Sequence, residues 1–176
     1  MDIHLLRKEN AEAYQKLRLA GLRDTPSAFT SSVEEESGLA LETVGERLIA
    51  TPDRFLLGAF VDHGMLAGVV GVEREAKRKL SHKAYVWGVY VDPGQRRRGL
   101  GRSLLLRAIE MATEMSGLRQ LNLGVNAANF AAMSLYEELG FRPFGRERDF
   151  LQVDGVFHDE IHMVLPLERG MSAGMR

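Results

Sequence analysis

A chain of 176 residues with 45% hydrophobic and 27% charged residues has the size and composition of one globular domain with a substantial core. Its formal net charge of -1 argues against a general nucleic-acid binder, because nothing draws the whole molecule to a polyanion. It contains no cysteine, which excludes disulfides, thiolate metal sites and acyl transfer through an enzyme thioester.

The N-terminal part is predicted to form a strand and a helix. It lacks the long apolar segment of a signal peptide, and no apolar run is long enough to cross a bilayer, so we expect a cytoplasmic protein that does not bind membranes. Residues 3–7 have the pattern of a short strand. Residues 9–23 have the apolar spacing of a helix, which Thr25-Pro26 ends because a residue before proline disfavours the helical conformation.

A polar segment that ends in three carboxylates follows. Ser32 and Glu35 have the spacing of a capping box, so the simplest interpretation is a helix start with acids placed favourably against the helix dipole. Alternatively, the segment forms part of the wall of an acceptor site, where Glu34 or Glu35 attracts a cationic amine. A second helix is predicted after it. Its predicted buried face consists of Leu41, Val44 and Leu48.

Three strands are predicted next. Residues 55–61 and 65–75 are apolar and flank the turn sequence Asp62-His63-Gly64, which predicts a hairpin. A basic stretch, residues 77–79, is typical of an exposed hairpin tip. The third strand runs from Lys83 to Val91. Gly88 inside it weakens pairing, which predicts a bulge or a close backbone approach.

Between this strand and the next helix lies a loop with three successive arginines and two glycines. Its backbone amides can approach an anion, and the dipole of the helix that begins at Gly99 adds positive potential. The loop lacks the Lys-Ser/Thr pair of GxxxxGK[ST] and the third glycine of the dinucleotide fingerprint, so ATP and NAD are poor candidates. The predicted buried stripe of the helix is Leu100, Leu104, Ala108, Met111 and Met115.

The last third of the chain predicts a strand, a helix and a hairpin. Residues 118–125 alternate as in a strand, which a right-handed crossover would place parallel to the strand before the preceding helix. Asn129 is suited to cap a helix that stops at Gly140. Residues 141–151 and 156–167 predict a final hairpin. We expect one domain over residues 1–167 and a frayed tail over residues 168–176.

The loop and the segment after it resemble one family. Arg96, Gly99 and Gly101 match the Arg/Gln-x-x-Gly-x-Gly/Ala signature of the GNAT superfamily of N-acetyltransferases, and the resemblance extends to Asn126, Asn129 and Tyr136. It covers roughly residues 3–167. It implies an α/β (α+β) fold: a mixed, mostly antiparallel sheet of six to seven strands with a central splayed parallel pair, flanked by about four helices.

The resemblance also implies acetyl-CoA as the cosubstrate. The loop amides would bind its pyrophosphate, Val89 and Val91 would pair with its pantetheine arm, and the Val89 amide would polarise the acetyl carbonyl. Tyr136 would be the general acid that protonates the departing thiolate; the alternative is that it is simply a half-buried helix tyrosine. Asn129 would bind the cofactor; the alternative is that it only caps a helix. The implied cofactor-binding residues are Val89, Val91, Arg96, Arg97, Arg98, Gly99, Gly101, Arg102, Ser103, Asn126, Asn129 and Tyr136.

The general base is left unassigned. An alkylamine titrates near 10.4, so freeing it at neutral pH costs about 4.6 kcal/mol, and some group or a water chain has to take the proton. Family members often use a glutamate on the strand before the loop, but residues 85–89 hold no carboxylate. The candidates are Glu34, Glu35, Glu73, His82, Tyr85, Tyr90 and Glu160. No metal is expected at His158, Asp159, Glu160 and His162, because strand alternation sends neighbouring side chains to opposite faces.

The leading hypothesis is therefore direct acetyl transfer from acetyl-CoA to a primary amine in a ternary complex. A small-molecule amine or amino acid is the favoured acceptor, with Glu34, Glu35 and Tyr85 as candidate contacts; a protein N-terminus or lysine is the alternative. A second hypothesis is a non-catalytic acyl-CoA binding or sensing module, against which Tyr136 argues. We expect a monomer or homodimer that binds no nucleic acid, since an aromatic platform beside the arginines is lacking.

Overall fold

The computed structural model describes residues 1–167, so the predicted frayed tail, residues 168–176, lies outside the described residues. Within that range the strands and helices follow the predicted order. The strands are β1 (Asp2–Leu5), β2 (Arg54–Val61), β3 (Met65–Arg74), β4 (Lys83–Val91), β5 (Gln120–Asn126), β6 (Arg142–Val153) and β7 (Val156–Pro166). The α-helices are α1 (Ala11–Asp24), α2 (Val33–Ser37), α3 (Leu41–Leu48), α4 (Leu100–Glu114) and α5 (Phe130–Glu138).

The strands over residues 1–167 form one sheet in the order β1-β2-β3-β4-β5-β7-β6. The pair β4 and β5 is parallel, as the crossover through α4 requires, and the other neighbours are antiparallel. This confirms the predicted mixed sheet with a central parallel pair. Five α-helices occur over this range rather than about four, because the capping box at Ser32 and Glu35 starts the short α2.

The sheet separates two hydrophobic cores. One contains residues of α4 and α5 packed on β2–β5 and β7, and the other contains residues of α1 and α3 packed on β2–β4. The predicted stripe of α4 is partly wrong: Leu105 and Ala112 are fully buried, whereas Met111 and Met115 are only partly buried, because a helix lying on a broad sheet buries a wider face than one stripe. Leu41, the first residue of α3, is 46% exposed instead of buried.

Strand β4 leaves its parallel neighbour halfway along its length. Its pairing with β5 stops at Tyr85, opposite Asn122. On its other side, β4 places two residues, Gly88 and Val89, opposite the single Val70 of β3, and Gly88 has a positive φ of 63°. This is the bulge that Gly88 predicts, and it turns β4 away from β5. No helix within residues 1–167 is long and apolar enough to cross a membrane.

Candidate active site

A cavity of about 520 Å³ opens where β4 and β5 separate. Its walls are the second half of β4, the loop and first turn of α4, the end of β5 and one side of α5. Ten of the twelve residues that the resemblance assigns to the cofactor line it; Arg98 and Ser103 do not. The ten are Val89, Val91, Arg96, Arg97, Gly99, Gly101, Arg102, Asn126, Asn129 and Tyr136.

The loop before α4 presents backbone amides to this cavity. Arg97 and Gly99 both have positive φ angles, 59° and 81°, which turn successive peptide units to the same side. The Ser103 amide donates to the carbonyl of Gly99, so the amides of residues 100–102 are those left without a partner inside the helix. A β-carbon on Gly101 would lie 3.6 Å from Leu135 of α5, so there is space for little more than a methyl group between α4 and α5 at this position. The arrangement suits an anion.

The arginine side chains of the loop have different partners. Arg96 donates to the carbonyl of Val91 at 3.0 Å, forms an ion pair with Asp24 at the end of α1, and lies 5.5 Å from the centroid of the Tyr90 ring. Arg98 is hydrogen-bonded to the side chain of Gln95. The guanidinium of Arg96 therefore holds the loop against α1.

Tyr136 is the buried residue of α5 and is 7% exposed. Its ring packs edge-on against Phe141, with centroids 5.9 Å apart. Burial raises the pKa of Tyr136 to about 12, so the phenol keeps its proton throughout the neutral range. Tyr136 is therefore more deeply buried than the half-buried helix tyrosine of the alternative interpretation, and it lines the cavity.

The two asparagines hold the far wall together. Asn129 caps α5, accepting from the Ala132 amide at 3.1 Å, which agrees with its interpretation as a helix cap. Asn126 accepts from the Ala128 amide at 2.8 Å and donates to the carbonyl of Ser27 at 3.0 Å. The second bond ties the end of β5 to the turn after α1, so the amide of Asn126 is already engaged.

A second cavity, of about 430 Å³, lies between α1, α3 and the sheet. It shares Trp87 with the first cavity, and the Trp87 ring occupies the space where a β-carbon on Gly71 would lie. The indole nitrogen of Trp87 is buried and finds no hydrogen-bond partner among residues 1–167. The charged residues of this cavity are Arg18, Arg47, Arg54, Glu36 and Glu73.

Of the three acids at 34–36, only Glu36 reaches either cavity. Burial raises the pKa of Glu36, but the hydrogen bonds and charge of Arg18, 2.8 Å away, outweigh it and hold that pKa below its usual range. Glu34 is fully exposed, and Glu35 accepts from the Ser32 amide at 2.7 Å in the capping box. The capping interpretation is confirmed, and the geometry gives Glu34 and Glu35 no contact with a cavity.

The remaining base candidates are spread along the sheet. His82 precedes β4, and its carbonyl accepts from the Arg119 amide at 2.8 Å, at the end where β4 and β5 are still paired. Tyr85 is 42% exposed at the last paired step. Tyr90 donates its hydroxyl to Asp24 at 3.3 Å. Glu73 lines the second cavity beside Trp87.

Strand β7 carries the histidines and acids that the sequence analysis considered as metal ligands. Asp159 accepts from Arg146 and from the Asp149 amide, whereas Glu160 turns to the opposite face beside His162. This is the alternation that the sequence predicts. Within residues 1–167, no group of three or more histidines and acids is arranged to hold a metal ion.

Sequence reasoning missed the second cavity. Trp87 and Arg54 were not singled out, and their neighbours in space are far away in sequence. One local signal was available: Gly71 and Gly124 are glycines within strands, and these two mark close approaches by the side chains of Trp87 and Glu160.

Comparison with known proteins identifies the chain's relatives. The sequence profile described as "Acetyltransferase (GNAT) family" matches residues 19–141. The [ribosomal protein bS18]-alanine N-acetyltransferase of Escherichia coli strain K12 is 39% identical over 85 residues, which are 48% of this chain and 57% of that protein. The chain thus matches little more than half of the length of this curated relative.

Solved structures show the same fold. The acetyltransferase of GNAT family from Streptococcus pneumoniae superposes with a TM-score of 0.85 at 23% identity, over 95% of this chain and 99% of that one. The protein yncA from Salmonella typhimurium, solved with its cofactor acetyl-CoA, gives a TM-score of 0.79 at 22% identity, over 96% and 95%.

Proposed function

The chain belongs to the acetyltransferase (GNAT) family, and from that premise we propose that it moves an acetyl group from acetyl-CoA to a primary amine by direct attack in a ternary complex. The observation that carries the proposal is the cavity between the separated strands. Its wall combines unpaired loop amides, the bulged segment of β4 and the buried phenol of Tyr136. A molecule with an anion in its middle and a thioester at one end suits that combination.

The anionic part of acetyl-CoA is assigned to the start of α4. Helix N-termini bind phosphates because unpaired amides and the helix dipole both favour negative charge. The amides of residues 100–102 supply the donors, and Arg97 lies in the same wall. The solved structure of yncA contains acetyl-CoA as its cofactor, which supports the choice of cosubstrate.

The reacting part is assigned to the gap between β4 and β5. The bulge at Gly88 leaves the Val89 amide beside the gap, where a hydrogen bond to the acetyl oxygen would stabilise the tetrahedral intermediate by about 3 kcal/mol. The amine nitrogen bonds to the carbonyl carbon, the carbon–sulfur bond breaks, and Tyr136 gives its proton to the sulfur. A phenol with a raised pKa is protonated when the thiolate departs.

The first candidate acceptor is the α-amine at the N-terminus of a polypeptide. The E. coli relative is named for acetylating the alanine of a ribosomal protein, which favours this class over the small amine predicted from sequence. An α-amine titrates near 8, so freeing it at pH 7 costs about 1 kcal/mol, far less than for a lysine side chain.

The second candidate acceptor is a small amine that carries a carboxylate. Arg47 and Arg54 line the second cavity, and guanidinium groups suit a carboxylate. A purely cationic amine has less support, because Glu36 is already paired with Arg18.

Cytoplasmic location, a monomer or homodimer, and the absence of nucleic-acid binding remain predictions.

Release of free CoA thiol tests the function. Purified protein with acetyl-CoA should release thiol in the presence of peptides that begin with alanine, and less with the same peptides blocked at the N-terminus. Turnover of free amino acids with no turnover of peptides would select the second acceptor class. Binding of acetyl-CoA without thiol release for either class would leave only the acyl-CoA binding module.

A further inference from the structure

We propose that Glu160 is the general base of the reaction, acting from β7 across a place that Gly124 leaves open on β5. The inference rests on the proposed function and adds to it the residue that frees the acceptor amine. It is supported by the position of Glu160, by the charges around it, and by the geometry of the other candidates.

The position follows from the pairing of β5 with β7. Asn126 stands opposite Glu160, and Gly124 stands opposite His162. Gly124 and Asn126 both line the cavity between the separated strands. The Glu160 carboxylate leans along its strand and fills the space where a β-carbon on residue 124 would lie. The carboxylate therefore lies against Gly124, a residue of the cavity wall, and the proposal places the acceptor amine on this side of the cavity.

The surroundings keep this carboxylate basic. Burial is the main effect and raises the pKa of Glu160, whose side chain is 17% exposed. His162, on the same strand, has its Nδ1 atom 3.5 Å from the carboxylate and opposes that rise, whereas Glu147, opposite on β6, adds to it. From β5 the facing residues, Gly124 and Asn126, are uncharged. A carboxylate with a raised pKa is a stronger proton acceptor than an ordinary glutamate.

The other candidates for the general base either have another hydrogen-bond partner or lie away from the gap between β4 and β5. Glu34 is solvent-exposed, and Glu35 is bound in a helix cap. Tyr90 is bonded to Asp24 beside Arg96, and burial raises its pKa, which makes it a poor base at neutral pH. His82 lies at the end of β4 that is still paired with β5, and Tyr85 lies at the last paired step. Glu73 lines the second cavity.

The proton balance is simple. Glu160 takes one proton from the acceptor ammonium, which leaves a neutral amine whose lone pair forms the new bond to the acetyl carbon. As the carbon–sulfur bond breaks, Tyr136 donates its proton to the sulfur. The attacking nitrogen, which still carries one proton too many, loses it as the amide forms, and this second proton restores Tyr136 through solvent. Glu160 then returns its proton to solvent through His162, whose imidazole is partly exposed. No oxidant, reductant or metal is needed.

Glu160→Gln tests the assignment, because it keeps the shape of the side chain and removes the base. We expect kcat/KM at pH 7 to fall about 100-fold or more, with acetyl-CoA affinity by calorimetry within twofold of the wild type. The defect should shrink as the pH rises above the pKa of the acceptor, where the amine is free without help. Glu42→Gln, which removes an exposed acid in the first turn of α3 by the same substitution, should stay within threefold of the wild type.

Two outcomes would overturn the assignment: wild-type kcat/KM in Glu160→Gln, or a loss that is the same at every pH. If Glu160→Gln does not fold, Gly124→Ala takes its place, since the added methyl displaces the carboxylate while the acid remains. It should show the same pH-dependent defect, and wild-type behaviour would count against the proposal. If the wild type neither binds acetyl-CoA nor releases thiol, the proposed function fails instead.

Discussion

Arg96 and Asp24 form an ion pair that joins the loop after β4 to the last residue of α1. The same guanidinium donates to the Val91 carbonyl and lies over the Tyr90 ring. The first residue of the signature therefore fixes the loop in place, and in the proposed function the amides of residues 100–102 bind the anion. We therefore expect Arg96 to affect acetyl-CoA binding through the position of the loop.

Removing one partner of this pair should weaken acetyl-CoA binding modestly. In Asp24→Asn we expect a loss of about twofold to fivefold in affinity, because a partly exposed ion pair contributes about 0.5–1 kcal/mol. Calorimetry measures the change. Asp53→Asn, which removes a pair with Arg74 on another part of the sheet, should leave affinity unchanged. Equal effects in the two variants would contradict the role of Arg96.

Gly101→Ala should raise stability and leave acetyl-CoA binding nearly unchanged, whereas a larger, charged side chain at the same position should remove binding. The added methyl meets Leu135 at 3.6 Å and Val91 at 3.7 Å, ordinary contacts, and alanine favours the helix by up to about 1 kcal/mol, so the melting temperature should rise. Because the signature accepts alanine as well as glycine at this position, acetyl-CoA affinity should stay within about threefold of the wild type. Gly101→Glu should abolish binding. Gly38→Ala, at the end of α2 with open space around it, is the matched control.

Tyr136→Phe should lower kcat about 100-fold, with little change in acetyl-CoA affinity. The hydroxyl is lost, while the ring and its contact with Phe141 remain. Stopped-flow turnover and equilibrium binding separate the two quantities. Unchanged turnover would remove the acid role of this tyrosine.

The raised pKa of Tyr136 also predicts an alkaline loss of stability. The folded-state pKa of about 12 lies above the ordinary value of 10, so its contribution is fully present below pH 10 and is lost as the pH rises from 10 to 12. The size of the loss is about 2–3 kcal/mol. Urea unfolding of the wild type and of Tyr136→Phe at pH 9 and 11 measures it; a parallel fall in both proteins would exclude Tyr136 as its source.

Arg54 separates the two acceptor classes. Arg54→Gln should raise KM about tenfold or more for a free amino acid and leave KM for an alanine peptide within twofold, if the second cavity holds the carboxylate. Arg78→Gln, on the exposed tip before β4, should affect neither acceptor. An equal change in KM for both acceptors would argue against a carboxylate subsite.

Local patterns predicted the fold well because its elements carry their own signals. The hairpin turn at His63-Gly64, the bulge at Gly88 and the caps at Ser32 and Asn129 are all decided by neighbours in sequence, and the structure has each of them. The parallel pair followed from the handedness of the crossover.

The site was predictable only in its local part. The anion loop is one continuous segment, so its residues could be named, but the partner of Arg96 is Asp24, 72 residues away. Glu160 was one candidate among seven, because its approach to Gly124 depends on the register of β5 with β7. Pairing across a sheet decides such contacts, and no local pattern records it.

The chain has a single tryptophan, and its indole lies on the wall common to both cavities. Intrinsic fluorescence therefore reports on either chamber without any label. Cosubstrate and acceptor can be titrated separately and then together, and a shift in emission that one produces only after the other has bound would reveal the order in which they enter.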